Sequence, residues 1–276
     1  MNRLALLLAA VFTTVLCGHR VVAVEPRFDG AFVQGGLVVG HVARGSSVTV
    51  NGKPTRVSAE GEFLIGFDRD APPTVEIRVT EKAGADRSHT LSVARRTFPV
   101  QRIEGLPPQQ VTPDAQTVRR IQAEAALVAA AKARDSADPF FRSGFVWPVK
   151  GRLSGVYGSQ RILNGQPRAP HGGLDIAAPR GTAVLAAADG IVSLAHDDLF
   201  FTGKTVMIDH GFGLSSVYAH LDTVAVHPGQ AVGKGAPIGT LGATGRATGP
   251  HLHWGVSLFD TRLDPALLVA PIADAR

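Results

Sequence analysis

The chain has 276 residues, of which 45% are hydrophobic and 18% are charged. This length exceeds the roughly 100–200 residues of a single domain and indicates two domains, and the composition excludes a chain that is disordered throughout. The single cysteine excludes a disulfide framework and a thiolate-rich zinc site. The formal charge of +5 is scattered along the chain, and only 2 Trp and 2 Tyr are available to stack bases, so we predict no nucleic-acid partner.

Residues 1–23 have the pattern of a secretory signal peptide. A basic start at Arg3 is followed by an apolar run that ends at Cys17, and small residues precede a cleavage site after Ala23. Lipid attachment through Cys17 is the less favoured alternative, because Leu16 stands where a small residue is expected. We therefore expect a secreted or periplasmic protein with no stable membrane insertion after the leader is removed.

Residues 24–100 are expected to form a β-sandwich domain. Apolar and polar residues alternate over short runs, as in Val75, Ile77 and Val79, and a period of two is typical of strands with one buried face. Asn51 and Gly52 lie between two such runs and indicate a hairpin turn.

Residues 101–143 are expected to be a linker that contains an α-helix. Thr112 offers an N-cap, Pro113 a first helical residue and Asp114 an acid in the first turn. Apolar residues follow at helical spacing from Val118 to Val128. Such a helix could separate two domains or pack along one of them.

Residues 144–272 are glycine-rich and have short alternating strands, which predicts a compact antiparallel β-sheet domain. The expected fold class is therefore all-β, with an N-terminal sandwich, a helical linker and this C-terminal sheet. Two segments, 181–190 and 229–239, are weakly similar and resemble the barrel-sandwich halves of biotinyl carriers. A carrier needs a modifiable lysine at the hairpin tip, where this chain has Asp189.

The chemistry is predicted to reside in five residues of the C-terminal domain: His171, Asp175, His220, His251 and His253. The last two are at positions i and i+2 of a strand and therefore lie on the same face. Two histidines and one carboxylate around zinc leave a fourth position open, as in catalytic sites. No HExxH motif supplies a glutamate base, so a histidine is expected to transfer the proton. Non-haem iron oxygenases also use two His and one carboxylate, but their close pair is HxD.

These motifs resemble those of the lysostaphin-type (LytM-domain) zinc endopeptidases over roughly residues 145–270. The resemblance implies that His171, Asp175 and His253 bind one Zn²⁺ per chain, and that His220 and His251 stabilise the transition state and help to activate water. It implies hydrolysis of peptide bonds in peptidoglycan cross-links or stems. Some members of the family lack ligands and act as wall-binding modules or amidase activators, so a non-catalytic or autoinhibited regulator of a murein amidase is the alternative.

Two further residues are candidate substrate contacts. Arg161, expected in the loop before His171, could bind a substrate carboxylate, and Tyr218 could donate a hydrogen bond. His210 is interpreted as part of a turn that supports the site. The N-terminal domain could bind a cell-wall or division protein.

Overall fold

The structure is a computed structural model that describes residues 25–82, 84–105 and 112–271. The expected signal peptide, including Cys17, lies outside the described residues. Among the helices that are described, none is both long and apolar enough to cross a membrane.

The N-terminal region forms two small sheets that pack face to face, as the alternation predicts. Val75, Ile77 and Val79 are buried on one face of β6, and the residues between them are exposed. Together with Phe63 and Ile65 they form part of a separate hydrophobic core. The sheet orders are β1-β2-β5 and β4-β3-β6-β7. The strands are β1 (Arg27–Gly30), β2 (Leu37–His41), β3 (Ser47–Val50), β4 (Lys53–Thr55), β5 (Glu62–Gly66), β6 (Thr74–Thr80) and β7 (Asp86–Ser92).

The predicted hairpin turn joins β3 to β4. Asn51 and Gly52 have φ angles of 47° and 75°, respectively. Two consecutive residues in the left-handed region are characteristic of a type I′ turn, and Asn-Gly tolerates this geometry best. The prediction is therefore confirmed.

The C-terminal region is a large antiparallel sheet with the strand order β17-β14-β15-β16-β19-β12-β9. Strand β18 pairs with β13 and β16, and β20 pairs with β19. The all-β prediction is confirmed. The strands are β9 (Arg152–Gly155), β10 (Gln160–Leu163), β11 (Gln166–Pro167), β12 (Leu174–Ala177), β13 (Ala183–Leu185), β14 (Gly190–Leu199), β15 (Gly203–Asp209), β16 (Leu214–Val224), β17 (Ala231–Val232), β18 (Pro237–Leu241), β19 (His251–Leu258) and β20 (Thr261–Leu263).

The segment between the two regions is built into the C-terminal half. Strand β8 (Val100–Ile103) pairs in parallel with β10, which also pairs with β11. Helix α1 (Ala115–Lys132) packs against β14 and β15. The helix therefore lies along the C-terminal domain, and β8 extends one of its small sheets.

The N-cap of helix α1 lies two residues later in the chain than predicted. Asp114 is the N-cap, and its side chain accepts a hydrogen bond from the Thr117 N–H at 2.7 Å. The interpretation of Thr112 as the cap and Pro113 as the first helical residue was wrong. A carboxylate caps a helix well because it accepts hydrogen bonds from the free N–H groups of the first turn. Its negative charge is also attracted to the positive end of the helix dipole.

Side-chain contacts hold α1 against the turn between β14 and β15. Arg120 donates to the backbone carbonyl of Asp198 at 2.6 Å and to its carboxylate at 3.0 Å. Glu124 accepts from the Phe200 N–H at 2.7 Å. Ala131 is buried, and Ile121, Glu124 and Val128 on the same face are partly buried. One face of α1 therefore packs on the sheet and the other faces solvent.

The two regions share an interface centred on an ion pair. Arg96 lies 2.8 Å from Asp264, whose side chain is only 4% exposed. Arg96 also donates to the backbone carbonyl of Gln34 at 2.9 Å. Leu37 and Leu64 of the N-terminal sheet belong to the C-terminal hydrophobic core. The sandwich is therefore packed onto the C-terminal domain by both polar and apolar contacts.

We predict that Arg96→Ala lowers the free energy of unfolding by about 2 kcal/mol, because it leaves the buried Asp264 carboxylate without its partner. Arg27→Ala is the matched control. It removes an ion pair whose side chains are 71% and 58% exposed, and it should cost about 0.5 kcal/mol or less. Chemical denaturation measures both values, and equal losses in the two variants would contradict the assigned role of Arg96.

Candidate metal centre

Two imidazole nitrogens and one carboxylate oxygen converge at one end of the large sheet. His171 Nε2, Asp175 Oδ1 and His253 Nδ1 are each 2.9 Å from the other two. Asp175 on β12 and His253 on β19 are direct partners in the strand register. His171 lies in the loop that leads into β12. Strand pairing therefore brings together residues that are 78 positions apart.

The tautomer of the neutral His171 ring follows from its backbone contact. Its Nδ1 lies 3.1 Å from the Val156 carbonyl oxygen, which can only accept a hydrogen bond. In the neutral ring the proton is therefore on Nδ1, and Nε2 presents a lone pair to Asp175 and His253. Histidines that bind metals are typically oriented by such a hydrogen bond from their other ring nitrogen.

This donor set fits a metal ion. Donor atoms of a tetrahedral zinc site lie about 3.3 Å apart, because the bonds are about 2.0–2.1 Å long. The observed separations of 2.9 Å come close to this value. Electron-rich atoms at such distances repel one another unless a cation or a proton lies between them. His171, Asp175 and His253 could therefore hold a metal ion.

The second oxygen of Asp175 is held by Arg161. The Arg161 Nη2 donates to Asp175 Oδ2 at 2.7 Å. Arg161 lies on strand β10 and not in the expected loop. Gly155 on β9 faces the same carboxylate, and a Cβ atom there would lie 2.5 Å from Oδ2. Arg161 and Gly155 together fix the orientation of Asp175.

A β-bulge turns His220 toward the same centre. Tyr218 is paired with Trp254, and both side chains are buried in the core, whereas Ala219 is paired with His253. A regular strand would place His220 on the buried face with Tyr218. The register on β15 shifts here, and His220 has a φ of 62°. The bulge therefore moves His220 to the face that carries His253.

His220 and His251 both direct Nε2 toward the centre. Their Nδ1 atoms each lie 2.8 Å from a backbone carbonyl oxygen, of Thr244 and Gly249 respectively. The Nε2 atom of each neutral ring therefore carries the lone pair. The ring centroids are 4.7 Å apart, and His251 Nε2 lies 3.9 Å from Asp175 Oδ1. Burial, followed by the neighbouring His251 and His253, lowers the pKa of His220 to about 3.

Tyr218 and His210 lie away from the centre. The Tyr218 side chain is fully buried, and its hydroxyl accepts from the Ala187 N–H at 2.8 Å and lies 3.0 Å from Ser216 Oγ. His210 Nε2 lies 2.7 Å from the same Ser216 oxygen. These residues form a hydrogen-bond network within the core, so the structure gives Tyr218 no surface from which to contact a substrate.

Two cavities reach the donor atoms. One of about 480 Å³ is lined by His171 and His253, and one of about 140 Å³ is lined by Asp175, His220 and His251. Arg161 lines both. The candidate metal centre is therefore open to molecules from outside.

Sequence reasoning missed the residues that orient the site. Gly155 lies at the end of a short strand, where a glycine signals close approach of another group, and this signal could have been used. The carbonyl groups of Val156, Thr244 and Gly249 carry no sequence signal, because any residue supplies a backbone carbonyl.

We predict that Gly155→Ala weakens metal binding at least 10-fold, because the added Cβ displaces the Asp175 carboxylate. Gly233→Ala is the control, since the nearest atom to a Cβ there is 3.9 Å away. Titration of each metal-free protein with Zn²⁺ measures the affinity. Unchanged affinity in Gly155→Ala would show that the position of Asp175 does not depend on this glycine.

The C-terminal part of the chain is similar to known proteins. The model of Peptidase family M23 matches residues 169–265. The peptidoglycan DD-endopeptidase ShyA of Vibrio cholerae is 41% identical over 111 residues, which are 39% of this chain and 26% of that protein. The cell division protein DipM of Caulobacter vibrioides is 36% identical over 127 residues, 46% of this chain and 20% of that protein. The matched part of the chain thus spans about a quarter or less of either relative.

A solved structure extends the similarity to both domains. A crystal structure from Pseudomonas aeruginosa, named as a peptidase M23, is 35% identical to this chain and has a TM-score of 0.66. The alignment covers 86% of this chain and 94% of that one. The chain belongs to peptidase family M23.

Proposed function

We propose that this protein is a zinc endopeptidase that hydrolyses peptide bonds in peptidoglycan, in the periplasm or outside the cell. The observation that carries the proposal is the convergence of His171 Nε2, Asp175 Oδ1 and His253 Nδ1 at 2.9 Å, beside two further histidines whose Nδ1 atoms contact backbone carbonyls. Relatives named as peptidoglycan DD-endopeptidases support the choice of substrate. Membership of family M23 favours a peptidase over a biotinyl carrier or a non-haem iron oxygenase.

His171, Asp175 and His253 are the proposed metal ligands. Zinc bound there would polarise the scissile carbonyl group and lower the pKa of a water molecule toward neutrality. Arg161 and Gly155 keep the Asp175 carboxylate in place, and the Val156 carbonyl fixes the His171 ring. The strand pairing of Asp175 with His253 supplies the rigidity that such a site needs.

His220 and His251 are the proposed proton-transfer residues. Each has its Nδ1 proton committed to a backbone carbonyl and its Nε2 lone pair available. One of them can accept a proton from the attacking water and pass it to the leaving amine. Once protonated, either ring can donate a hydrogen bond to the oxyanion that develops on the scissile carbonyl.

We predict that His253→Ala loses both bound zinc and muropeptide release. His220→Ala and His251→Ala should retain zinc, but their turnover should fall about 100- to 10,000-fold because proton transfer is lost. Metal analysis and assays of new amino groups on purified peptidoglycan measure the two effects. His227→Ala, at an exposed turn, is the control and should behave as the unchanged protein.

Loss of zinc from His220→Ala or His251→Ala would show that a ligand and a proton-transfer residue have been interchanged. Full activity in a metal-free His253→Ala protein would contradict the zinc assignment.

The alternative, an autoinhibited or non-catalytic regulator of an amidase, rests on the position of helix α1. Val128 and Lys132 of the helix form part of the cavity wall next to His171 and His253. However, the cavity beside the helix still has a volume of about 480 Å³. We therefore infer that α1 is a fixed wall of the cleft and not a plug.

We predict that the double variant Arg120→Ala/Glu124→Ala, which loosens α1, does not raise muropeptide release above that of the unchanged protein. Arg119→Ala, on the exposed face of the same helix, is the control. A rise of 10-fold or more in the double variant, but not in the control, would favour autoinhibition.

Location and partners are also proposals. The signal-peptide pattern of residues 1–23 supports export to the cell envelope, and attachment through Cys17 is the less favoured form. Leu37 and Leu64 of the three-stranded N-terminal sheet pack on the C-terminal domain, and the loop after β4 contacts it through Arg56, which pairs with Asp135. A cell-wall or division protein partner at the N-terminal domain is still a prediction.

A further inference from the structure

The larger of the two cavities, about 480 Å³ in volume, is strongly cationic. It lies between helix α1, strand β10 and the face of the sheet that carries His253. None of the described residues that line it is an aspartate or a glutamate. Its positively charged lining residues are Lys132, Arg161, Arg168, Arg246 and Arg262. We call this space the cationic cavity.

The positive charges in the cationic cavity repel one another. Burial and then the neighbouring Arg262 lower the pKa of Lys132, and the attraction of Asp260 is the smaller effect. Burial and then Arg161 and Arg168 lower the pKa of Arg246. Within the described part of the chain, neither Lys132 nor Arg262 lies within 4.0 Å of a carboxylate. Crowded, partly buried cations of this kind are stabilised by an anion that binds among them.

We propose that the cationic cavity is a subsite for a free carboxylate of the substrate peptide, so that the enzyme selects stem peptides whose carboxyl groups are not amidated. This proposal rests on the proposed function, because it assigns a substrate class to the same site. His171 and His253 line the cavity, so a carboxylate bound there belongs to a residue close to the scissile bond.

The lining residues suit a carboxylate. Guanidinium groups bind carboxylates through two parallel hydrogen bonds, and Arg262 offers such a group. Arg161 is already bound to Asp175, so it contributes its charge to the cavity rather than a free hydrogen-bonding edge. The volume is within the range of about 300–1,000 Å³ that is usual for ligand sites. Apolar residues of the lining, Leu163, Met207 and Val217, supply contact for the rest of the peptide.

The test compares a purified muropeptide dimer that has free carboxylates with the same dimer after its carboxylates are converted to amides. We expect the zinc-loaded full chain to cleave the carboxylate form with at least a 10-fold higher kcat/KM. Lys132→Gln and Arg262→Gln should each lower kcat/KM for the carboxylate form several-fold and leave the amide form unchanged. Arg119→Gln, on the exposed face of α1, should retain the full preference.

A second measurement does not depend on turnover. Calorimetry measures the binding of a single stem peptide, in its carboxylate and amide forms, to the same proteins. We expect tighter binding of the carboxylate form, a weaker affinity at high salt, and loss of the difference in Lys132→Gln and Arg262→Gln. Inorganic phosphate is included as a competitor.

The outcomes separate the two proposals. Cleavage of both dimers at equal kcat/KM would overturn the carboxylate subsite and leave the hydrolase intact. Cleavage of neither dimer would contradict the proposed function, and a binding preference for the carboxylate peptide would then still support the subsite. Equal affinity for the two peptides would overturn the carboxylate subsite. So would phosphate that displaces the bound carboxylate peptide as effectively as unlabelled peptide does.

Discussion

Three electron-pair donors, held within hydrogen-bond distance of one another, are the constraint on which the rest of the site depends. In the neutral ring of His171, Nε2 cannot donate a hydrogen bond, because the proton is on Nδ1 and is donated to the Val156 carbonyl. The Asp175 oxygen and His253 Nδ1 lie 2.9 Å away. Such atoms repel one another unless a cation or a proton lies between them. A metal ion is therefore the natural complement of this geometry.

The β-sheet provides the necessary precision. Asp175 and His253 are opposite each other in neighbouring strands, so their separation is fixed by backbone hydrogen bonds. His220 reaches the same face only because a bulge interrupts the alternation of β16. Gly155 leaves the space that the Asp175 carboxylate occupies, and Arg161 holds its other oxygen. The backbone of His220 is strained, with φ in the left-handed region, and this conformation directs the His220 side chain toward the centre.

Much of this architecture could be predicted from the sequence, because alternation and turn residues are local signals. The sandwich strands, the Asn51-Gly52 turn and the shared face of His251 and His253 depend on such signals. The position of α1 along the cleft depends on tertiary contacts and could not be predicted. The N-cap was placed at Thr112 instead of Asp114, since both residue types are good caps. Tyr218 was proposed to contact substrate, but the bulge that separates it from His220 has no clear sequence pattern.

The most direct test of the central claim is to measure metal content and the release of new amino groups from purified peptidoglycan on one preparation, with and without a chelator. The account predicts one zinc per chain, release that stops when the chelator removes the metal, and recovery when zinc is added back. A protein that contains no metal and cleaves peptidoglycan equally well in the presence of the chelator would contradict it.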